Sequence, residues 1–455
     1  CKNLSEGDML QFNRIGFCRV ISADSAILSH KWFILKYIHQ EYQDKVWNEI
    51  NKSNFKSYHK PHYKKYSLAN LAPTILSHFG KKSKNILNDN LIQTSLDGCQ
   101  SIVLILIDGL GFNLIKNSLH NPLLDKLYYN NIVIPITSTF PSTTSTALST
   151  VNTGMTPQQH GIIGHTMYLR KYGTIANMVN FSPESDRNSS RLTKFGFDPE
   201  TFLTNNTLYQ SLSDIDVKSK VLTRWIYKKS ALSRMLHKGS DVLPYVNSSD
   251  MFLNLSKIVN KKTPFTFVYW DILDSASHVY GPFTPEVQSE LRNILFGLLN
   301  EFIKNIKTQY RNKVCIFITG DHGLVQVNKT GRMFTNNIPK FLDNLSRPPS
   351  GDSRTSFVKL DNSNNNLKNI FQKYKNQFDI FPSDKFIKEG FFGSKTVNRD
   401  ISSALGDYTI LSRKGNVLMH RFKSDFKASL SGYHGGLTDD ELFVPLFVVN
   451  PKNLD

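Results

Sequence analysis

The chain has 455 residues, 40% of them hydrophobic and 20% charged, a balance that excludes a wholly disordered or collagen-like polymer. The length predicts roughly two to three domains, or one large α/β domain with an insertion. Lysines and arginines number 55 against 37 aspartates and glutamates, a formal net charge of +18 that points to an anionic partner: nucleic acid, an acidic membrane surface or a phosphate-bearing substrate.

No apolar run approaches the ~18 residues of a membrane span, which predicts no membrane-spanning segment. No basic-then-apolar leader opens the chain, and Cys1, Cys18, Cys99 and Cys315 form no CxxC pair. Together these features predict reduced thiols and a cytoplasmic location, with the true start outside a chain that opens on Cys1 rather than methionine.

Residues 1–31 alternate like a β-hairpin, "GDMLQFNRIGFCRV", then a turn, then "SAILSHK". Two strands bury no core alone, so this piece has to lean on something else. Residues 32–90 are predicted mainly helical and basic, ending in "LANLAPTILSHFGKKSK". Their lysines (Lys52, Lys56, Lys60, Lys64, Lys65, Lys81, Lys82, Lys84) make a solvated face or linker in the plainer reading. In the sharper one they form a nucleic-acid patch, with Tyr58, Tyr63 and Tyr66 stacking on bases.

From about residue 100 the pattern changes. "SIVLILIDGLG" is a continuous apolar run closed by an acid and glycines, the signature of a strand buried on both faces of a parallel sheet. Further strands are predicted at "NIVIPITSTF", "KVLTRW", "FTFVYWDI", "KVCIFITGDHG" and "ELFVPLFVVN", separated by amphipathic helices such as "PEVQSELRNILFGLLNEFIKNI". Strands alternating with helices predict an α/β sheet whose sites lie beyond the carboxyl ends of the strands. Polar residues from 323 to about 430, with "RPPSGDSR", break the rhythm and are expected to be an inserted cap rather than sheet. The predicted division is a hairpin tail (1–31), a basic lead-in (32–90), a catalytic α/β domain (91–322 and 431–455) and the cap (323–430).

Metal-ligand residue types sit at the ends of these strands. Asp108 ends the first, Asp274 and His278 occur in "DSASH", Asp321 and His322 in "TGDHG", and His434 in "GYHGG" just before the last strand. A spacing of four puts Asp274 and His278 on one helix face. Carboxylate with imidazole suits zinc or manganese better than calcium. Taken singly, each residue has a plainer role, as a helix cap, a turn residue or a surface histidine. Their joint placement predicts two divalent metal sites, an arrangement suited to in-line displacement at phosphorus. A hydroxyl cluster, "TSTFPSTTSTALSTVNTG", lies between a strand end and a short helix closing at Gly154. A hydroxyl there would face helix amide donors and serve as a metal-activated nucleophile. Simple N-capping explains any one of them equally well, so composition does not select the residue.

The strings "LILIDGLG", "TFPSTT…NTGMTPQQHGI", "DSASHVYGP", "TGDHG" and "GYHGG" resemble the type I phosphodiesterase/nucleotide pyrophosphatase branch of the alkaline phosphatase superfamily, in family order across residues 72–449. The resemblance implies a mostly parallel sheet sandwiched by helices, with an inserted cap. It implies Thr144, the fifth residue of "FPSTT", as nucleophile and a phosphothreonine intermediate. Asp108, Thr144, Asp321 and His322 would surround one ion, and Asp274, His278 and His434 the other. The ions would be zinc, with manganese as the alternative, and the substrate a small phosphate ester of nucleotide type.

Relatives carry an asparagine after "HGI" that bonds a phosphoryl oxygen, whereas this chain reads "GIIGHTMY", which places His165 there. Monoester specialists use an arginine for a related job, and Arg224 or Arg354 could approach from the cap. Arg354 in "RPPSGDSR" is the expected substrate contact, against a plain Pro-Gly turn with a solvated arginine. Phosphomonoesterase or phosphonate hydrolase activity therefore stays open as an alternative to diester hydrolysis. A reading of a different class, an RNA-binding accessory module, rests on the basic segment and on residues 1–31. There "KNLSEGDMLQFNRIGFCRV" followed by "ILSHK" resembles the extreme C-terminus of an archaeal-type glutamyl-tRNA synthetase. That resemblance predicts either a fusion truncated at its amino end or two neighbouring genes merged in one frame.

Overall fold

A computed structural model describes residues 9–12, 16–19, 40–52, 54–87, 89–186, 188–361, 367–393, 401–422 and 429–454. The apolar runs become the main sheet. Its strands in chain order are β1 (Ser101–Ile107), β2 (Ile132–Thr137), β3 (Ser219–Arg224), β4 (Asp241–Tyr245), β5 (Phe265–Trp270), β6 (Val314–Thr319) and β7 (Phe443–Val449). They lie side by side in the order β2-β7-β6-β1-β5-β3-β4. The contacts among β6, β1, β5, β3 and β4 are parallel, and β7 runs antiparallel to both of its neighbours. The fold is therefore α/β with a mixed, mostly parallel sheet. Every residue of β1, β6 and β7 is buried, as strands covered on both faces require. Strand β4, absent from the prediction, is one of the two edges of the sheet and carries Pro244.

Register decides what the sheet presents. Ile107 of β1 pairs with Trp270 of β5, and Leu106 with Thr319 of β6. The carboxyl ends of the three strands are therefore level, and the segments that leave them start side by side.

A second sheet is antiparallel. Its strands, in spatial order, are Phe378–Pro382, Tyr408–Ser412, Thr355–Val358, Ser350–Gly351, Thr166–Leu169, Thr174–Asn177 and Ser182–Pro183. Four segments between residues 350 and 412 are thus sheet strands, contrary to the expectation of a cap without strands. They escape sequence reading because their buried positions carry hydroxyls, as in the wholly buried "TSFV" of Thr355–Val358. Thr355 Oγ1, for example, donates to the Gly435 carbonyl at 2.6 Å. The three strands at 166–183 precede residue 323, so the second sheet is built from two separated stretches of chain.

The basic lead-in keeps Lys52, Lys56, Lys64, Lys82 and Lys84 exposed, as a solvated face requires, but its apolar side is packed down. Val46, Ile50, Leu68, Leu71 and Ile75 are buried in the main core. Of the three tyrosines expected to stack on bases, Tyr63 and Tyr66 are buried, and Tyr58 donates its hydroxyl to Asp379 at 2.5 Å. The stacking expectation is therefore corrected: these rings pack inward. Near the amino end, Met9–Phe12 pairs antiparallel with Gly16–Arg19. Both of these strands lie in "GDMLQFNRIGFCRV", and "SAILSHK" lies outside the described residues. Among the described residues no helix is long and apolar enough to cross a membrane.

Candidate metal and active site

Asp108 directly follows β1, and Asp321 and His322 follow β6 after Gly320. After β5 the chain enters helix α2 (Ile272–Tyr280), where the four-residue spacing brings His278 Nε2 to 3.3 Å from Asp274 Oδ2. Gly109 has a positive φ of +76°, and a Cβ there would meet the Asp274 backbone at 2.9 Å, so glycine is what lets α2 approach β1 this closely. His434 is delivered by a two-residue pairing of Gly432–Tyr433 with Val325–Gln326, which folds the late loop back onto the segment after His322.

The hydroxyl cluster is sorted by burial. Helix α1 (Thr144–Thr153) starts at the fifth residue of "FPSTT" and ends at Gly154 with φ +71°. Ser142, Thr143, Ser145 and Thr146 are fully buried, whereas Thr144 keeps some exposure. Its Oγ1 lies 3.2 Å from His322 Nε2. Around that same nitrogen, Asp321 Oδ2 is at 3.3 Å and Asp108 Oδ1 at 3.5 Å. Ligands held tetrahedrally at ~2.0 Å from an ion stand ~3.3 Å from one another, so this spacing fits a ligand set.

Hydrogen bonding supports the same reading. His278 Nδ1 faces the Gly432 carbonyl at 2.8 Å, His322 Nδ1 the Gly323 carbonyl at 3.2 Å, and His434 Nδ1 the Ser142 carbonyl at 3.2 Å. Each carbonyl places the ring proton on Nδ1 and leaves the Nε2 lone pair free to bind a metal. Among the carboxylates, Asp108 Oδ2 accepts from the Tyr269 hydroxyl, and Asp321 Oδ1 accepts from the amides of Gly109 (3.0 Å) and His322 (2.9 Å). Their other oxygens, Asp108 Oδ1 and Asp321 Oδ2, together with Asp274 Oδ1, are buried with no hydrogen-bond partner. Orphaned anionic oxygens opposite free imidazole lone pairs fit a divalent cation.

The electrostatics agree. Burial, then the neighbouring Asp321 and Asp274, push the Asp108 carboxyl well above the usual carboxylate range. Burial, then His322 and His278, push His434 well below the usual histidine range. A buried acid that resists ionising lacks a compensating cation, and a buried base that resists protonation keeps its lone pair available. The residues form two groups, Asp108–Asp321–His322 and Asp274–His278–His434, each with its ligand atoms within 4.8 Å of one another. The groups adjoin, since the His322 and His434 rings stack at 3.8 Å. The structure thus brings together all seven residues singled out as metal ligands, Thr144 included.

The two proposed substrate contacts differ. His165 immediately precedes the strand Thr166–Leu169 and lines a cavity of about 400 Å³ with Glu184, Ser350, Asp352, Met419 and His420. Asp352 leads from that cavity to the ligand cluster, its Oδ2 being 3.9 Å from His434 Nδ1. Arg354 is a correction. Its side chain is wholly buried, with Nε and Nη2 each 2.9 Å from a carboxylate oxygen of Glu441 and Nη1 on the carbonyls of Arg413 and Asn416. It braces the protein interior rather than presenting a guanidinium to a ligand. Arg224, the other arginine considered, pairs with Asp271 at 2.8 Å. Sequence reasoning missed Tyr269 and Asp352; the one signal for Tyr269 was a hydroxyl inside the apolar run "FTFVYW".

Residues 102–437 match the profile described as type I phosphodiesterase / nucleotide pyrophosphatase. The chain belongs to this family. As a member of the type I phosphodiesterase/nucleotide pyrophosphatase family it falls in the alkaline phosphatase superfamily. It is 22% identical over 272 residues to the bis(5'-adenosyl)-triphosphatase ENPP4 of Pongo abelii, covering 56% of this chain and 52% of that protein. It is 23% identical over 211 residues to the Homo sapiens counterpart, covering 43% and 40%. The chain spans about half the length of the curated relatives it matches. Among solved structures it is similar to an inactive variant of murine ectonucleotide pyrophosphatase/phosphodiesterase 5 in complex with AMP (TM-score 0.57, 16% identity, 76% of this chain and 87% of that chain). It is comparably similar to phosphonoacetate hydrolase from Sinorhizobium meliloti 1021 in complex with phosphonoformate (TM-score 0.56, 17% identity, 76% and 89%). At these identities the likeness establishes the alkaline-phosphatase-like fold.

Proposed function

We propose that the protein is a two-metal phosphodiesterase/nucleotide pyrophosphatase that works through a phosphothreonine at Thr144. The observation that carries this reading is the position of Thr144 Oγ1, on an incompletely buried residue at the start of α1, 3.2 Å from His322 Nε2 and beside orphaned carboxylate oxygens. Asp108, Asp321, His322 and Thr144 would hold one divalent ion and Asp274, His278 and His434 the other. The mixed nitrogen and oxygen donors favour zinc, with manganese as the alternative. When bound, such ions stabilise developing charge on phosphoryl oxygens and lower the pKa of a nearby hydroxyl.

The chain's own residues set the geometry of the reaction. Thr144 Oγ1 gives up its proton to solvent and forms a bond to phosphorus as the bond from phosphorus to the leaving oxygen breaks. The leaving oxygen departs with the bonding electron pair and takes a proton from solvent. Water then attacks phosphorus, the bond to Thr144 Oγ1 breaks, and the threonine hydroxyl is restored. Backbone amides in the first turn of α1 are donors for the non-bridging oxygens throughout. A nucleotide-type substrate is supported by the family and by the AMP complex of the murine relative.

Thr144→Ala tests the assignment. Turnover of bis-p-nitrophenyl phosphate is expected to fall by at least ~10³-fold while metal content, measured on the purified protein, is retained. Near-normal turnover would overturn it. The same substrate compared with p-nitrophenyl phosphate and a phosphonate separates diester hydrolysis from the other reactions open to these seven residues.

A further inference from the structure

We propose that Asn177 is a positioning residue that fixes His165 as an uncharged Nδ1–H donor in the cavity beside His434, and so tunes the enzyme toward phosphodiesters over phosphomonoesters. The specificity half rests on the function proposed above; the positioning half does not.

The Asn177 side chain, nine-tenths buried, is held by four hydrogen bonds. Its Oδ1 accepts from the amides of Val179 at 3.1 Å and Asn180 at 3.0 Å. Its Nδ2 lies 2.9 Å from His165 Nε2 and 3.3 Å from Glu184 Oε2. The four contacts allow one orientation. Turning the amide over would set its nitrogen against two N–H donors and its oxygen against the Glu184 carboxylate. The amide therefore donates to His165 Nε2, and a nitrogen that accepts carries no proton. The ring proton is then on Nδ1, and the imidazole is neutral. Among the described residues Nδ1 has no protein hydrogen-bond partner. The ring lines the cavity shared with Asp352, the residue that approaches His434. A fixed, unused N–H donor in a cavity beside the metal-ligand cluster is placed to bind a phosphoryl oxygen.

The charge state carries the selectivity. A diester phosphoryl group bears one negative charge, whereas a monoester bears close to two at neutral pH. An ionised donor forms a hydrogen bond to an anion roughly twice as strong as a neutral one. A neutral imidazole thus withholds the extra stabilisation that a dianion needs, and it costs a diester little.

The test is Asn177→Asp, which keeps an oxygen for the amides of Val179 and Asn180 and turns the group facing Nε2 into an acceptor. An acceptor there requires a proton on Nε2, and the added negative charge beside Glu184 favours keeping the proton on Nδ1 as well, so that His165 becomes an imidazolium. We expect the ratio of kcat/KM for p-nitrophenyl phosphate to that for bis-p-nitrophenyl phosphate to rise about tenfold in Asn177→Asp. In a His165→Asn background the same substitution should move it less than twofold. Nitrogen-15 spectra of the full-length protein, with His165 assigned by the signal lost in His165→Asn, should show Nε2 unprotonated and Nδ1 protonated. A protonated Nε2 in the unmutated protein overturns the positioning role, and this measurement needs neither turnover nor a folded variant. An unchanged ratio, or a change that persists without His165, overturns the specificity role. If the unmutated enzyme cleaves neither ester while its spectrum has the expected form, the proposed function fails and the positioning stands.

Discussion

The carboxylates of Asp108, Asp274 and Asp321 and the Arg354–Glu441 pair are all largely withdrawn from solvent, Asp274 least, and their bonding differs. Asp108, Asp274 and Asp321 each keep one buried oxygen without a donor. Glu441 spends both oxygens on Arg354, and also accepts from the Gly436 amide at 2.8 Å and from the Thr438 hydroxyl. A carboxylate that folding satisfies is part of the frame. A group of carboxylates that folding leaves unsatisfied, opposite imidazoles with free lone pairs, fits a divalent cation. The frame also serves the site, because Glu441 grips Gly436 two residues from His434.

The most damaging way to test this contrast is to remove the cation. Chelation, or Asp321→Ala, is expected to abolish turnover by at least ~10³-fold. For the unmutated protein, restoring zinc should raise Tm in proportion to the logarithm of free metal, since the ion binds only the folded state. A melting temperature indifferent to zinc would show that the orphaned oxygens are tolerated without a metal and would break the comparison.

Arg354 comes next. Arg354→Met strands Glu441 as an uncompensated buried charge, for which ~3–5 kcal/mol of stability should be lost. The double variant Arg354→Met/Glu441→Leu should recover part of that loss, the remainder reflecting the orphaned Gly436 amide. Denaturant unfolding measures both. At a temperature where the variant stays folded, KM should remain within a few-fold of the parent; a large rise in KM would return Arg354 to the substrate-contact role expected from "RPPSGDSR".

These residues also mark where the sequence was readable. Strands β1 and β6 are covered on both faces, so they must be apolar throughout, and the first polar residues after them stand out. Asp108 and the Asp321–His322 pair are legible for that reason, and Asp274–His278 because four residues is one helical turn. Arg354 misled because its partner is 87 residues away, and no local pattern reports a distant acceptor. The same holds for Asn177, whose importance lies in the amides of Val179 and Asn180 and in two side chains brought together by the second sheet. That sheet was itself hidden, since two-residue strands such as Ser350–Gly351 and hydroxyl-rich ones such as Thr355–Val358 have no apolar periodicity to read.

His237 sharpens the contrast, for it has a buried nitrogen, Nδ1, with no partner and lies outside the cluster. An orphaned atom without converging ligands should affect stability alone. Burial pushes its pKa down to about 4, against ~6.5 in an unfolded chain. Between those values the unfolded state takes up a proton that the folded state refuses. Stability is therefore fully present above pH ~6.5 and falls as the pH drops toward 4, by roughly 3 kcal/mol in all. In His237→Gln the slope of unfolding free energy against pH over this window should lose up to one proton. An unchanged slope would mean that the histidine is solvated or paired.

The smallest expected effect concerns Tyr269, which donates to the oxygen of Asp108 that faces away from the ligand cluster. Two functions are possible for that hydroxyl and they differ in what they move. If it only satisfies a buried carboxylate, Tyr269→Phe costs stability and leaves metal affinity alone. If it orients the carboxylate so that Oδ1 points at the ion, the substitution weakens metal binding even where the fold survives. The geometry favours the second, because Asp108 Oδ1 lies 3.5 Å from His322 Nε2 while Oδ2 is occupied by the tyrosine, so one bond sets the aim of the other oxygen. Partners of this kind are worth about tenfold in affinity, or ~1.4 kcal/mol. Zinc titration of Tyr269→Phe should therefore show a Kd about tenfold weaker, with kcat close to the parent once metal is saturating. An unaltered Kd would place Tyr269 with Arg354, among groups whose hydrogen bonds serve the frame.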